Sequence, residues 1–204
     1  MIKKLDDNLL MLTEEHEEAC NVYIIGDICI DTGLFNMGLE ECLKEYNVKK
    51  AVLTHAHFDH IGRNYLFDEI FTHPIAKNKI ENNDVYGHKV KGFDIKKALP
   101  KKFNLVKNKE IIKSYKVELE VIYTPGHSLD CISLYEPNKR ILFTGDAFYN
   151  GLFYFVKDSN IKEAGKSLNK LGKLKPKLIC PGHNDICYKI DKSFTGKDNI
   201  ERIF

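Results

Sequence analysis

The chain has 204 residues, of which 43% are hydrophobic and 29% charged, a composition typical of a soluble globular protein with one sizeable core. Its 31 basic and 29 acidic residues give a formal net charge of +2, which predicts neither a nucleic-acid nor a membrane partner. No apolar run approaches the length of a membrane span, and residues 1–7 lack the apolar core of a signal peptide. We therefore expect a cytoplasmic protein with reduced cysteines and a single domain over residues 1–204, and the oligomeric state is left open.

The first half of the chain alternates short apolar runs with turn residues, a pattern that predicts strands, and two stretches have helical spacing. Strands are expected at residues 8–13, 20–25, 27–31, 51–53 and 70–72, and helices at 38–46 and 75–82.

The densest group of chemically active side chains follows the apolar run 51–53. His55, His57, Asp59 and His60 fall within six positions. If the strand continues through His57, its period of two puts His55 and His57 on one face. Burying four such groups without partners would cost roughly 1–3 kcal/mol each, so we interpret them as metal ligands rather than as packing. Imidazole and carboxylate favour zinc, iron or manganese over the metals that prefer thiolates.

Residues 77–113 are rich in lysine, interrupted by glycine and proline, and weakly periodic. The simplest interpretation is a solvated face within a variable insertion. The alternative is a flap that recruits an anionic substrate, because basic side chains raise the local concentration of anions.

The second half repeats one arrangement, in which a short strand ends in a glycine-containing turn that carries a histidine or an aspartate. Strands are expected at residues 117–123, 131–135, 140–143 and 177–180, with an amphipathic helix at 160–174. The turns deliver His127, Asp146 and His183. Strand ends hold ligands rigidly, and glycine lets the backbone pass close to a metal.

The candidate ligands therefore number seven: His55, His57, Asp59, His60, His127, Asp146 and His183. Seven exceeds the needs of one four-coordinate zinc and suits two metals that share a bridge. Cys180 lies three residues before His183, and we interpret it as a core residue because cysteine is among the most buried residue types.

In these segments the chain resembles the metallo-β-lactamase superfamily, whose motif is H-x-H-x-D-H followed by a histidine, an aspartate and a final histidine. The resemblance covers essentially the whole chain. It implies a four-layer αβ/βα sandwich of two mixed β-sheets with helices on the outer faces. It also implies that His55, His57 and His127 hold one divalent ion, that Asp59, His60 and His183 hold a second, and that Asp146 bridges them. Zinc is the expected metal, with iron or manganese as alternatives.

The implied activity is hydrolysis of a small ester, thioester or lactone. Two cations sharing a water would supply hydroxide near neutral pH, with Asp59 steering its proton. The chain looks most like glyoxalase II-like thioesterases and small lactonase-like hydrolases, although only 21 residues follow His183, which leaves little room for the helical region that grips glutathione in glyoxalase II. Asp146 stands where true β-lactamases commonly have cysteine.

Three residues near the motifs are candidate substrate contacts. Arg63 replaces the second glycine of the Gly-Gly-Asn common in glyoxalase II, and Tyr149 and Tyr154 belong to the aromatic cluster after Asp146. Two other functions stay open. One is a mononuclear iron dioxygenase that oxidises a persulfide through His55, His57 and His127, and the other is a non-catalytic binding module stabilised by metal.

Overall fold

The computed structural model describes residues 1–16, 19–35, 38–149, 153–156, 158–190 and 200–202, with only the backbone at 153–155 and 200–202. The strands of these residues are β1 Ile2–Asp6, β2 Leu9–Leu12, β3 Val22–Ile25, β4 Ile28–Ile30, β5 Lys50–Val52, β6 Glu69–Thr72, β7 Phe103–Leu105, β8 Ile111–Lys113, β9 Glu118–Tyr123, β10 Ile132–Glu136, β11 Ile141–Gly145, β12 Phe153–Phe155, β13 Leu178–Pro181 and β14 Ile200–Arg202. The helices are α1 Leu39–Glu45, α2 Phe58–Ile61, α3 Pro74–Glu81, α4 Ile95–Ala98 and α5 Ile161–Gly172, with a 3-10 turn at Asn64–Leu66.

The chain forms two compact units, of which the first comprises residues 1–106 and 113–117. Its described strands form a mixed seven-stranded sheet in the order β1 to β7. Strands β1 to β4 pair antiparallel, and β4 to β7 pair parallel. Parallel neighbours need a crossover, which α1 to α4 provide. Strands β2, β3 and β4 are buried at every position, so their sequences are continuous apolar runs.

The second unit comprises residues 107–112 and 118–204. Strand β10 pairs antiparallel with β9 and β11, and β11 pairs parallel with β13. With β8 at the edge, these strands form a mixed five-stranded sheet in the described part of the chain. Helix α5 lies between β11 and β13 in sequence and packs Leu168 and Leu171 into a core with Leu142 and Ile179.

The two mixed sheets with helices confirm the predicted fold class. The predicted strands and helices agree with the observed elements to within about two residues, except at the histidine cluster. The strand before that cluster ends at Val52, so the condition for placing His55 and His57 on one strand face is not met. His57 is instead the extended residue that precedes α2.

The sequence pattern missed β1 and, within residues 77–113, α4, β7 and β8, whereas α3 agrees with the helix predicted at 75–82. That segment contains the end of α3, all of α4, β7 at the edge of the first sheet, and β8. Its interpretation as a flap or insertion, like the single-domain expectation, stays a prediction. In the described residues no helix is long and apolar enough to span a bilayer.

The start of α5 offers a test of local stability. Asn160 Oδ1 accepts hydrogen bonds from the backbone nitrogens of Lys162 and Glu163 at 3.1 and 3.2 Å. Asn160→Ala should lower the free energy of unfolding by about 1 kcal/mol, because two backbone donors lose their partner. Urea denaturation measures this, with Lys162→Ala as the control in the same turn. Equal stability of the two variants would show that the cap contributes nothing.

Candidate metal centre

The first four predicted ligands lie on the loop and short helix that follow β5. His55, His57, Asp59 and His60 are all buried. The ring centroids of His55 and His57 are 4.4 Å apart, and those of His55 and His60 are 4.2 Å apart. The structure therefore brings three imidazoles of the first unit together, although the strand that was expected to align two of them has already ended.

Asp31 holds this loop in place. It follows β4, which pairs parallel with β5, so the carboxyl ends of both strands meet at one edge of the sheet. Its carboxylate accepts hydrogen bonds from the Thr54 backbone nitrogen at 2.7 Å and from the Thr54 hydroxyl at 2.8 Å. It also accepts from His60 Nδ1 at 2.8 Å. A carboxylate that is 1% exposed is thus fully engaged by hydrogen bonds.

These contacts set the tautomers of two histidines. Because a carboxylate only accepts, His60 Nδ1 carries a proton, and in the neutral ring the lone pair is then on Nε2. The Thr54 hydroxyl donates to Asp31, so it accepts from His55 Nδ1, 3.1 Å away. His55 and His60 therefore both present Nε2 as a metal-binding atom, in the way that hydrogen-bonded histidine ligands usually do.

Thr32 fixes the backbone of the same helix. Its amide donates to His60 O at 2.8 Å, and its hydroxyl lies 2.9 Å from Asn64 Oδ1. Asn64 in turn donates from Nδ2 to Ala98 O at 2.8 Å. These bonds leave α2 little freedom to rotate.

In the second unit, Asp146 lies between two histidines. Its Oδ2 is 3.4 Å from His127 Nε2 and 3.4 Å from His183 Nε2. The three side chains follow β9, β11 and β13, as the sequence predicted. The turns before Asp146 and His183 are joined by a hydrogen bond from Gly182 N to Gly145 O at 2.9 Å.

Helix α5 fixes the turn that carries His127. The backbone nitrogen of Asn160 donates to Gly126 O at 2.7 Å, and the Ser159 hydroxyl donates to His127 O at 2.5 Å. A Cβ at Gly126 would lie 2.4 Å from Ala164 Cα. Only glycine permits this approach, which explains the glycine in the motif.

The donor set fits divalent metals that prefer nitrogen and oxygen ligands. The described thiols do not compete near neutral pH. Burial raises the pKa of Cys20, whose Sγ donates to Asp59 O at 3.1 Å, to about 12. Burial also raises the pKa of the Cys180 thiol well above 9.0, in agreement with its interpretation as a core residue.

The candidate substrate contacts lie in different surroundings. Tyr149 is buried, with its ring centroid 5.8 Å from that of His183. Arg63 is also buried and forms a 2.5 Å ion pair with Glu40 on α1. Tyr154 lies in β12, and its side chain is outside the described part of the structure.

The sequence identifies the protein class, and solved structures share the fold. A model of the metallo-beta-lactamase superfamily matches residues 17–183, and the chain belongs to this superfamily. It is 26% identical to the human acyl-coenzyme A thioesterase MBLAC2, in an alignment covering 89% of the chain and 80% of that protein. It is 32% identical to a probable metallo-hydrolase of Methanocaldococcus jannaschii, covering 82% of the chain and 89% of the relative. A solved metallo-beta-lactamase family protein from Thermus thermophilus resembles it with a TM-score of 0.73 at 20% identity, covering 92% of the chain and 77% of that structure.

Sequence reasoning missed the role of Asp31. A signal was present, because Asp31 follows a short strand and precedes Thr32-Gly33, much as the other active side chains follow theirs. The parallel pairing of β4 with β5, which brings Asp31 to Thr54, has no signature in the local sequence.

Asp31→Asn tests the orienting carboxylate. The asparagine amide is uncharged and has only one acceptor oxygen, so it cannot accept all three hydrogen bonds as the carboxylate does. His60 then loses its fixed tautomer. We expect affinity for a metal at His60 to fall by about 10- to 100-fold. Titration against a competing chelator measures it, with Asp27→Asn in the preceding turn as the control. Unchanged affinity with an intact fold would contradict this role.

The raised pKa of Cys180 predicts how stability depends on pH. The unfolded thiol ionises near 9.0, whereas the folded thiol keeps its proton well above that value. The folded state then binds more protons, so stability is fully present below pH 9.0 and falls as pH rises beyond it. Urea denaturation between pH 8 and 11, roughly one unit below to two above that pKa, should show this fall, and Cys180→Ala should flatten it. Cys187→Ala, which removes a half-buried thiol, should flatten it less, and parallel curves for all three proteins would refute the assignment.

Proposed function

We propose that this protein is a hydrolase that binds two divalent metal ions and cleaves a small ester, thioester or lactone, with thioesters as the preferred class. The observation that carries the proposal is the position of Asp146 Oδ2, 3.4 Å from the Nε2 atoms of both His127 and His183. One carboxylate oxygen equidistant from two imidazoles suits a ligand shared by two ions.

The ligand assignment follows from the donor atoms. Among the described residues, two groups of His and Asp side chains could each hold an ion. They are His55, His57, His127 and Asp146, and Asp59, His60 and His183. In the proposal the first group holds one ion, and the second group, with Asp146 as the bridge, holds the other. Zinc suits this set, and iron or manganese are the alternatives.

When bound, the ions would supply the Lewis acidity that makes water nucleophilic near neutral pH. The chain's own residues have separate tasks. Asp59, whose Oδ2 is 3.3 Å from His60 Nε2, accepts and relays the proton of the attacking water. Asp31 keeps His60 in the tautomer that leaves Nε2 available.

Two observations bear on which substrate is cleaved and how its carbonyl is held. The relative MBLAC2 is named an acyl-coenzyme A thioesterase, which favours thioesters over lactones for this chain. Tyr149 is buried against His183, where its phenol would donate a hydrogen bond to the oxygen of the substrate carbonyl as charge develops there. Arg63 is already paired with Glu40, so in this proposal it supports α1 and its substrate-binding role is secondary.

The iron dioxygenase alternative uses three histidines and no second group. The Asp31–His60 hydrogen bond at 2.8 Å speaks against it, because a mononuclear site has no need to orient His60. Oxygen uptake with a persulfide distinguishes the two reactions. A binding module stabilised by metal would fold only with metal and would turn over no ester.

Asp146→Asn is the direct test of the shared ligand. The amide keeps the shape of the side chain but removes its charge, so the protein should lose at least one ion per chain. Thioester kcat should fall by about three orders of magnitude or more. Elemental analysis and a thiol-release assay measure these effects, with Asp7→Asn as the surface control. Near wild-type kcat in Asp146→Asn would exclude the two-metal mechanism.

A further inference from the structure

A cluster of unpaired cations lies on residues 86–98, which we call the basic rim. Lys89, Lys91, Lys96 and Lys97 are all exposed. The only carboxylate of the segment, Asp94, is engaged at the start of α4, where its Oδ1 accepts from Lys96 N at 3.0 Å. Among the described residues, none of the four lysines forms an ion pair.

Other lysines of the same lysine-rich segment are different. Lys101 forms an ion pair with Asp68 at 2.5 Å, and Lys102 forms one with Glu69 at 3.3 Å. Their charge is locally compensated. Four lysines without an ion pair among the described residues therefore lie together on the rim, and Lys107 and Lys109 lie farther along the segment.

The rim contacts the loop and short helix that carry the histidines of the first unit. Phe58 N donates to Tyr86 O at 3.2 Å, and the ring of Tyr86 lies 5.0 Å from the ring of His57. Gly87 passes so close to Phe58 that a Cβ there would lie 2.0 Å from the ring. Farther along, the ring centroid of Phe93 is 6.4 Å from that of Phe58. The lysines are thus carried by a segment that begins directly against a candidate metal ligand.

Two exposed aromatic rings accompany these cations. Tyr86 is 43% exposed and Tyr65 is 40% exposed. Lys97 Nζ lies 5.6 Å from the centroid of the Tyr65 ring. Exposed rings next to cations form a surface suited to a group that is both aromatic and anionic, such as a phosphorylated nucleotide.

From this arrangement we infer that the basic rim binds the phosphate-bearing carrier of an acyl thioester of the coenzyme A type. The inference rests on the proposed hydrolase function and deepens it by naming the substrate class. The lysines attract the phosphates of the carrier, and Tyr65 or Tyr86 offers a face to its adenine base. The pantetheine arm would then place the thioester toward the His57 end of the rim.

Binding of the thiol product separates this inference from the hydrolase proposal, because it requires no turnover. Titration calorimetry with coenzyme A, dephospho-coenzyme A and pantetheine should give affinities that decrease in that order. Lys96→Gln combined with Lys97→Gln should weaken coenzyme A binding by about 3- to 10-fold, and the additional changes Lys89→Gln and Lys91→Gln should bring the loss above about 10-fold. The matched control is Lys101→Gln with Lys102→Gln, which removes the same charge from paired lysines and should change affinity less than about 2-fold.

Kinetics provide the second measurement. Loss of the four rim lysines should raise KM for acetyl-coenzyme A by about 10-fold with kcat nearly unchanged, because the lysines act in binding and not at the reacting carbonyl. The same variant should hydrolyse S-acetyl-N-acetylcysteamine, which has the thioester but no phosphate, as the unmodified protein does.

The inference is overturned if the rim and control variants lose affinity equally, or if tripolyphosphate binds as tightly as coenzyme A. It is also overturned if pantetheine binds as tightly as coenzyme A. If the protein hydrolyses the short thioester with no preference for the coenzyme A ester, the inference about the rim is rejected and the proposed hydrolase function still stands. Coenzyme A binding through the rim without turnover of either ester would support the rim and reject the hydrolase.

Discussion

The carboxylate of Asp31 is the constraint on which the candidate ligands of the first unit depend. It is buried at the end of β4 and is stabilised by three hydrogen bonds from Thr54 and His60. Removing such bonds would leave a charged group uncompensated in the interior, which costs several kcal/mol. The bonds that stabilise the carboxylate also fix the proton positions on His55 and His60. Stability and the orientation of the candidate ligands therefore have the same origin.

The candidate ligands of the second unit rely on strand ends rather than on a buried orienting charge. Parallel pairing of β11 with β13 puts the turns of Asp146 and His183 side by side. The His127 turn is held by α5, with Gly126 against Ala164. Each ligand follows a strand that is paired in the sheet or a turn that is packed against α5, and this holds the 3.4 Å separations from Asp146.

Local sequence was sufficient to predict most elements and to select the candidate ligands, whose role stays a prediction, since short apolar runs, glycine turns and adjacent histidines are local patterns. It failed where the structure depends on non-local pairing. The strand before the histidines stops at Val52, and the orientation of His55 is set by Asp31 through the Thr54 hydroxyl rather than by strand period. The edge strands β1, β7 and β8 were also missed, because partly exposed strands lack a continuous apolar run.

The basic rim shows the same limit. The lysine content of residues 77–113 was visible in the sequence, but which lysines are compensated was not. Lys101 and Lys102 pair with the carboxylates of Asp68 and Glu69, which lie more than thirty positions earlier in the chain. These long-range ion pairs distinguish the compensated lysines from the lysines of the basic rim, which form a cationic surface next to candidate ligands.

The proposed reaction requires two metal ions per chain, so metal content is the first quantity to measure. Elemental analysis would use protein purified without added metal and without a histidine tag. We expect about two ions of zinc, iron or manganese per chain. A content that stays at one ion or fewer after incubation with each of these metals would contradict it.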